Sequence, residues 1–140
     1  MRIDTSLTPA SLQPKIRNLF ELSGAKIRSI EKSWSPSQGT PVFTAAGAYT
    51  TRGWTEWTMG FMLGSALLQF DAIGERWFLE YGRDQTLERM PRYVSHTGVH
   101  DHGFNVVSTY GNLLRLAVEG KFEAQLFEKR LYELALKAKN

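Results

Sequence analysis

The side chains best suited to chemistry lie in one short segment, residues 95–104, which reads Ser-His-Thr-Gly-Val-His-Asp-His-Gly-Phe. It holds all three histidines of the chain together with a carboxylate, Asp101. Imidazole and carboxyl groups transfer protons near neutral pH, and both also bind metals. This segment is therefore the first candidate for a catalytic or metal-binding site.

Three roles are open for Asp101 on residue type and spacing. It can cap the helix that follows, by accepting a hydrogen bond from a first-turn N–H. It can ligate a metal such as zinc together with His96, His100 and His102, although neighbouring residues at a helix entrance point in different directions. It can also act as a catalytic carboxylate beside histidines. The sequence alone does not choose among the three.

Aromatic residues mark a second candidate region, at the entrance to an apolar helix. Trp57 and Phe61 lie four residues apart and share one helical face, with Trp54 one turn earlier. Core packing is one interpretation, and it is favoured for Phe61. Aromatic faces at a helix end would also suit sugar rings, whose axial C–H groups stack on them. The neighbouring Arg52 and Glu56 are expected to face solvent or to pair with each other.

Hydrophobic periodicity predicts that an all-α framework positions these residues. The predicted helices cover residues 9–32, 54–71, 75–90, 103–118 and 122–139. No alternation of period two persists, so residues 33–53 are expected to form a loop. The second helix is apolar almost all round, which predicts burial on several sides. Two small residues within it, Gly60 and Gly64, would let another helix approach its backbone closely.

The same periodicity assigns inward faces to the last three helices. These faces comprise Trp77, Phe78, Tyr81 and Leu87 in the third helix, Phe104, Val107, Tyr110, Leu114 and Ala117 in the fourth, and Phe122, Leu126, Leu131, Leu134 and Ala138 in the fifth. Gly120 is expected to end the fourth helix. Short turns join helices two to three and four to five, which predicts antiparallel hairpins.

Composition excludes several classes of function. The 140 residues are 42% hydrophobic and 22% charged, as in a globular domain, and the absence of cysteine excludes disulfides and thiolate sites. The net charge of +3 is spread along the chain without a basic stripe, which argues against nucleic acid. The longest uncharged apolar run, 57–70, is too short to span a membrane. The N-terminus lacks a signal-peptide core, so a cytoplasmic location is expected.

Taken together, the motifs resemble those of glycoside hydrolase family 88, the unsaturated glucuronyl hydrolases, and of related unsaturated rhamnogalacturonyl hydrolases. The first motif is Trp-X-X-Gly-Phe at 57–61, and the second is His-Asp-X-Gly-Phe at 100–104. Tyr-Gly-Asn-Leu-Leu-Arg-Leu follows at 110–116. The resemblance covers nearly the whole chain from the first helix onward. It implies an (α/α)6 barrel of six helical hairpins, of which residues 1–140 would form a single incomplete N-terminal domain.

The resemblance also implies a reaction and its site residues. A carboxylic acid protonates C4 of a 4,5-unsaturated uronic acid, water adds at C5, and the glycosidic bond is lost, without a metal or other cofactor. Asp101 matches the family's first catalytic aspartate, and the second lies on a later helix beyond this chain. Trp57 and Phe61 match aromatics of the sugar subsite, while His100 and Phe104 match residues around the aspartate. We expect these four residues to bind the unsaturated oligosaccharide substrate.

A partial barrel has two further consequences. With one catalytic carboxylate, this polypeptide is expected to have little activity alone. An open flank would expose apolar helix faces, which predicts self-association or pairing with the missing half of the barrel. The alternative function is a non-catalytic helical module, or a remnant, that binds a carbohydrate or a protein through the same end.

Overall fold

The computed structural model describes residues 6–139, so residues 1–5 and 140 of the predicted domain lie outside the described part. Its elements are, in chain order, α1 (Pro9–Ser33), β1 (Thr40–Ala45), β2 (Ala48–Arg52), α2 (Thr58–Ile73), α3 (Arg76–Arg89), α4 (Pro91–Ser95), α5 (His102–Val106), α6 (Asn112–Val118) and α7 (Leu126–Lys137). A π-helical turn, Val107–Gly111, joins α5 to α6 without a break. The described part is mostly helical, as predicted, with one small two-stranded sheet.

α2 is the central element, and the other helices pack around it. It contacts α1, α3, α5, the π-helical turn and α6. Leu63, Ala66 and Leu67 on this helix are fully buried. The prediction that α2 is covered on several sides is therefore confirmed.

Gly60 and Gly64 let the helix of residues 102–118 cross α2 at backbone contact. A Cβ atom at Gly60 would lie 2.3 Å from the Cα of Asn105, and one at Gly64 would lie 2.5 Å from the carbonyl oxygen of Ser108. Both separations are far shorter than ordinary contact between heavy atoms. The expected close approach is confirmed, and it fixes how near the start of α5 lies to the start of α2.

Residues 33–53 do not form the predicted loop, because most of them fold into a β-hairpin. β1 and β2 are antiparallel, and their last pair, Ala45 with Ala48, encloses a turn at Ala46 and Gly47. Both turn residues have positive φ, at 50° and 79°, as the tight turns of hairpins require. The turn sequence is Ala-Gly, and alanine is rare in this conformation. The usual Asn-Gly or Asp-Gly signal of a hairpin is therefore missing from the sequence.

Two other connections also differ from prediction. Residues 54–57 form turns, in which the N–H of Glu56 donates to the carbonyl of Gly53 at 3.3 Å, so α2 begins later than expected. Beyond residue 90, where the third predicted helix ends, the chain forms α4, because Pro91 suits the first turn of a helix.

The inward face of the fourth predicted helix is partly wrong. Tyr110 and Ala117 are buried as predicted, whereas Phe104 and Val107 are exposed. The π-helical turn holds one more residue than an α-helical turn, so it shifts the buried face along the helix. Gly120 ends this helix as expected, with a φ of 71°.

α7 begins after the predicted start at residue 122, and its apolar stripe faces solvent. Its buried residues are Tyr132 and Ala135, and the ring of Tyr132 lies 6.2 Å from that of Tyr110. A tyrosine ring buries more area than a leucine side chain, so the face that carries it packs inward. Of the predicted stripe, Phe122 is buried, while the exposed members are Leu126, Leu131, Leu134 and Ala138.

We expect Gly60→Ala to lower the free energy of unfolding by about 1–3 kcal/mol, because the added methyl group meets backbone rather than a flexible side chain. Gly103→Ala is the matched control, since a Cβ there meets nothing within 4 Å. That control should be neutral or slightly stabilising, as alanine favours helix over glycine. Urea unfolding of both variants measures the difference, and equal midpoints would contradict the packing described for Gly60.

Candidate functional site

The candidate site is a hollow of about 320 Å³ between the N-terminal ends of α2 and α5. Its walls are Trp57, Phe61, Asp101 and Phe104. The three aromatic residues remain 45%, 48% and 54% exposed. The indole of Trp57 meets the ring of Phe61 edge-on at 5.2 Å, and Phe61 lies 6.5 Å from Phe104. Four of the five predicted site residues thus come together. The interpretation that favoured core packing for Phe61 is wrong, because its side chain is about half exposed.

Asp101 is the carboxylate of this hollow, and His100 lies beside it. Its side chain is 27% exposed, and its Oδ1 lies 3.1 Å from Nε2 of His100, whose side chain is 92% exposed. Asp101 occupies the N-cap position of α5, but its carboxylate makes no capping hydrogen bond. The capping role considered for Asp101 is therefore not seen, and the carboxylate pairs with His100 instead.

Asn105, which the sequence did not single out, holds the two helix starts together. Its side-chain oxygen accepts a hydrogen bond from the N–H of Gly60 at 2.7 Å, and its side-chain nitrogen donates to the carbonyl of Glu56 at 3.1 Å. The N–H of Gly60 belongs to the first turn of α2, where it has no partner within the helix. α2 itself has no side-chain N-cap. Asn105 therefore caps α2 from another helix and fixes the hollow.

A layer of aromatic rings in mutual contact, mostly edge-on, supports the start of α5 from behind. It consists of Trp54, Tyr93, His96 and His102, and we refer to it as the Trp54 layer. His102 is fully buried and lies parallel to Trp54 at 5.3 Å. Nδ1 of His96 lies 2.9 Å from Nε2 of His102. One of these two nitrogens must carry the shared hydrogen atom.

The charges around His102 oppose its protonation. Burial lowers the pKa of His102 below 6.5, and electrostatic interactions with His96, Lys139 and Arg92 lower it further, against the opposing effect of Asp101. Lys139 also donates to the carbonyl of His96. The buried imidazole is therefore held neutral near pH 7.

The three histidines do not converge on one point. His96 and His102 contact each other in the Trp54 layer, whereas His100 faces solvent beside Asp101. Within residues 6–139, no group of three or more His, Asp or Glu side chains is placed to hold a metal ion. The convergence that the zinc-binding role considered for Asp101 requires is therefore absent from the part of the chain that the structure describes.

Arg52 and Glu56 pair with each other, which is one of the two arrangements expected for them. The guanidinium of Arg52 lies 3.9 Å from the carboxylate of Glu56. Arg52 is mostly exposed and the separation is near the limit for an ion pair, so the pair adds little to stability. Glu56 does not line the hollow, so the carboxylate in its wall is that of Asp101.

A larger cavity, of about 530 Å³, lies at the opposite end of α2, against α1. Its charged residues, Arg17 and Glu21, are exposed side chains of one helix. None of the residues in the two sequence motifs lines it. Size alone therefore does not make this cavity the functional site.

No protein-family model, curated protein or solved structure matches this chain. Among the helices of residues 6–139, none combines the length and the apolar character that crossing a membrane requires.

We expect Asn105→Ala to lower the free energy of unfolding by about 1–3 kcal/mol, because it leaves the buried N–H of Gly60 without a partner. Asn112→Ala is the matched control, since the side chain of Asn112 bonds only along the same helix: it donates to the carbonyl of Ser108 and accepts from the partly exposed guanidinium of Arg115. The control should change stability by no more than about 0.5 kcal/mol. Urea unfolding distinguishes the two, and similar losses would contradict the capping role of Asn105.

The lowered pKa of His102 predicts that stability depends on pH. Unfolding returns this pKa to about 6.5, so at lower pH the unfolded chain binds more protons than the folded one. The stabilising contribution is therefore complete above pH 6.5 and is lost as the pH falls towards the folded-state pKa. The slope for one proton is at most about 1.4 kcal/mol per pH unit.

Urea unfolding between about pH 7.5 and pH 5.5 measures this slope. His102→Phe should flatten it, whereas His100→Gln should retain it, because His100 faces solvent. Constant stability of the unmodified protein over this range would contradict the assignment.

Proposed function

We propose that the hollow binds the unsaturated uronyl group of a lyase-generated oligosaccharide, with Asp101 as the acid that protonates it. The observation that carries this proposal is the single hollow shared by one carboxylate and three half-exposed aromatic rings. Aromatic faces bind the C–H groups of a sugar ring, and the carboxylate supplies the proton. The family resemblance of both motifs supports the same assignment.

The proposed reaction begins at the double bond between C4 and C5. Asp101, in its acid form, gives its proton to C4, and positive charge develops on C5 and the ring oxygen. Water adds to C5 and releases a proton. The resulting hemiketal opens, and the hemiacetal left at C1 expels the remaining sugar as an alcohol. The sum is the addition of one water molecule and the cleavage of one glycosidic bond.

His100 is proposed to renew the proton on Asp101. Its Nε2 lies 3.1 Å from Asp101 Oδ1, within hydrogen-bonding reach, and its side chain is open to solvent. Imidazole takes up and releases protons near neutral pH. It can therefore pass a proton from bulk water to the carboxylate after each protonation of substrate.

The alternative function, a carbohydrate-binding module without turnover, is favoured by one observation. Asp101 is the single carboxylate among the four residues that line the hollow, whereas glycoside hydrolases generally use two. We therefore propose that this chain binds the sugar but turns it over little by itself.

The position of the exposed faces is consistent with a part of an (α/α)6 barrel. The outward leucines of α7, at 126, 131 and 134, and the exposed Leu19 and Leu22 of α1 would be covered by neighbouring hairpins in such a barrel. Apolar patches of this kind mark surfaces that associate with other protein. We propose that this chain pairs with further barrel helices or with itself.

Binding of a 4,5-unsaturated uronyl disaccharide, measured by calorimetry, tests the proposed function. Trp57→Ala should weaken binding roughly tenfold or more, because it removes the largest ring of the hollow. Phe127→Ala is the matched control, since Phe127 is an exposed aromatic residue on α7, outside the hollow. This control should bind the disaccharide as the unmodified protein does.

Turnover is measured as the loss of the ultraviolet absorbance that the double bond gives to the substrate. We expect little or no change with this chain alone. Absence of disaccharide binding would overturn the proposed function. Rapid turnover that Asp101→Asn abolishes would establish the acid role of Asp101 and refute the binding module.

A further inference from the structure

A small cavity of about 290 Å³ lies where α3 ends and α4 begins. Its walls are Gly39, Met59, Glu88, Arg89 and Arg92, none of which lines the hollow. The volume is at the lower end for ligand pockets, which suits a small ion or a single charged group rather than a chain of sugars. We refer to this space as the arginine cavity.

The two arginines of this cavity differ from most others in the chain, because no carboxylate neutralises them. Within residues 6–139, six of the nine arginines lie within ion-pair distance of an aspartate or glutamate, namely Arg28, Arg52, Arg76, Arg83, Arg115 and Arg130. The three without such a partner in this part of the chain are Arg17, Arg89 and Arg92. Two of these three guanidinium groups therefore share the wall of one cavity.

Aromatic rings support the guanidinium of Arg92. Its central carbon lies 4.9 Å from the ring centre of Trp54 and 5.2 Å from that of Tyr93, both within the range of cation–π attraction. The ring of Tyr93 is fully buried and is therefore a firm support. Arg92 itself remains exposed, and its one side-chain hydrogen bond, 3.4 Å long to the hydroxyl of Tyr93, leaves most of its N–H donors available. A guanidinium that is already positioned loses less entropy when it binds a ligand.

The wall of the arginine cavity carries a surplus of positive charge. Two guanidinium groups stand against one carboxylate, that of Glu88, which leaves one positive charge uncompensated. Glu88 is exposed and accepts a hydrogen bond from Gln85 at 3.4 Å, rather than from either arginine. In the larger cavity against α1, by contrast, Arg17 and Glu21 balance each other. The charge of the arginine cavity therefore favours an anion.

We propose that the arginine cavity binds a sulfate or phosphate group. The N–H fork of a guanidinium matches two oxygens of such a group and binds them through two parallel hydrogen bonds. A dianion matches the charge of two guanidinium groups, whereas a carboxylate matches only one. Both the free inorganic anion and a sulfate ester on a saccharide offer this chemistry. The inference goes beyond the proposed function and does not depend on it.

Titration with sodium sulfate at constant ionic strength, followed by the NMR shifts of the arginine Nε–Hε groups, tests the site. Arg89→Gln and Arg92→Gln should each weaken sulfate binding by about fivefold or more, because each removes charge-assisted hydrogen bonds. Arg17→Gln is the matched control, since Arg17 is also an unpaired arginine in the wall of a cavity. No saturable shift in the unmodified protein, or an equal loss in the control, would overturn the proposal.

Glu88→Gln tests the site in the opposite direction. It should tighten sulfate binding by about twofold or more, because it removes a negative charge from the wall. Glu21→Gln, in the wall of the larger cavity, removes the same charge elsewhere and should leave the affinity unchanged. A damaged fold does not produce tighter binding, so an increase confined to Glu88→Gln supports the site. Unchanged affinity of Glu88→Gln would refute it.

Two further ligands test the chemistry and the source of the anion. Acetate should bind about fivefold or more weakly than sulfate, because it carries one charge, and equal affinities would refute a site for dianions. Tighter binding of glucose 6-sulfate than of inorganic sulfate supports a sulfated saccharide as the ligand, and weaker binding supports the free anion. Arg89→Gln should not change binding of the unsaturated disaccharide in the hollow, so either site can fail without the other.

Discussion

The contact between Gly60 and Asn105 is the constraint on which the candidate site depends. Two helices can meet at backbone distance only where one of them lacks a Cβ atom, and at this distance the amide of Asn105 reaches the first turn of α2. The hydrogen bond satisfies a group that every helix start leaves unpaired. Since Trp57 and Asp101 stand immediately before α2 and α5, the same contact also sets the width of the space between them.

The carboxylate of the hollow comes from the start of α5, where Asp101 lies beside the solvent-exposed His100 and the ring of Phe104. The half-exposed rings of Trp57 and Phe61 stand opposite, at the start of α2. Behind α5, the Trp54 layer keeps its buried imidazole neutral. In the proposed reaction, the proton would therefore come from water through His100 rather than from the buried His102. This division suits a site in which a single acid acts at the surface of a rigid support.

Part of this arrangement could be read from the sequence. Helical periodicity placed Trp57 and Asp101 at helix entrances, and the small residues in α2 indicated where another helix would cross. The hairpin could not be predicted, because Ala46 adopts a conformation that alanine rarely takes. Nor could Asn105, since an asparagine in a helix gives no sign of the backbone group it will bind. Nor could the outward face of α7, because this helix has two apolar faces, one with leucines and one with Tyr132 and Ala135. Which of them is buried depends on how well each packs against the other helices.

The π-helical turn between α5 and α6 has a consequence for how this protein tolerates insertions and deletions. The turn holds one more residue than an α-helical turn, so removing one residue from it would let it close as a regular α-helical turn. Arg115 would then keep its place opposite Asp71, its partner at 2.8 Å near the far end of α2, while Asn105 upstream also stayed in place. Removing a residue between Asn112 and Arg115 would instead rotate everything that follows by about 100°. A single-residue deletion in the turn should therefore be far less damaging than one in α6.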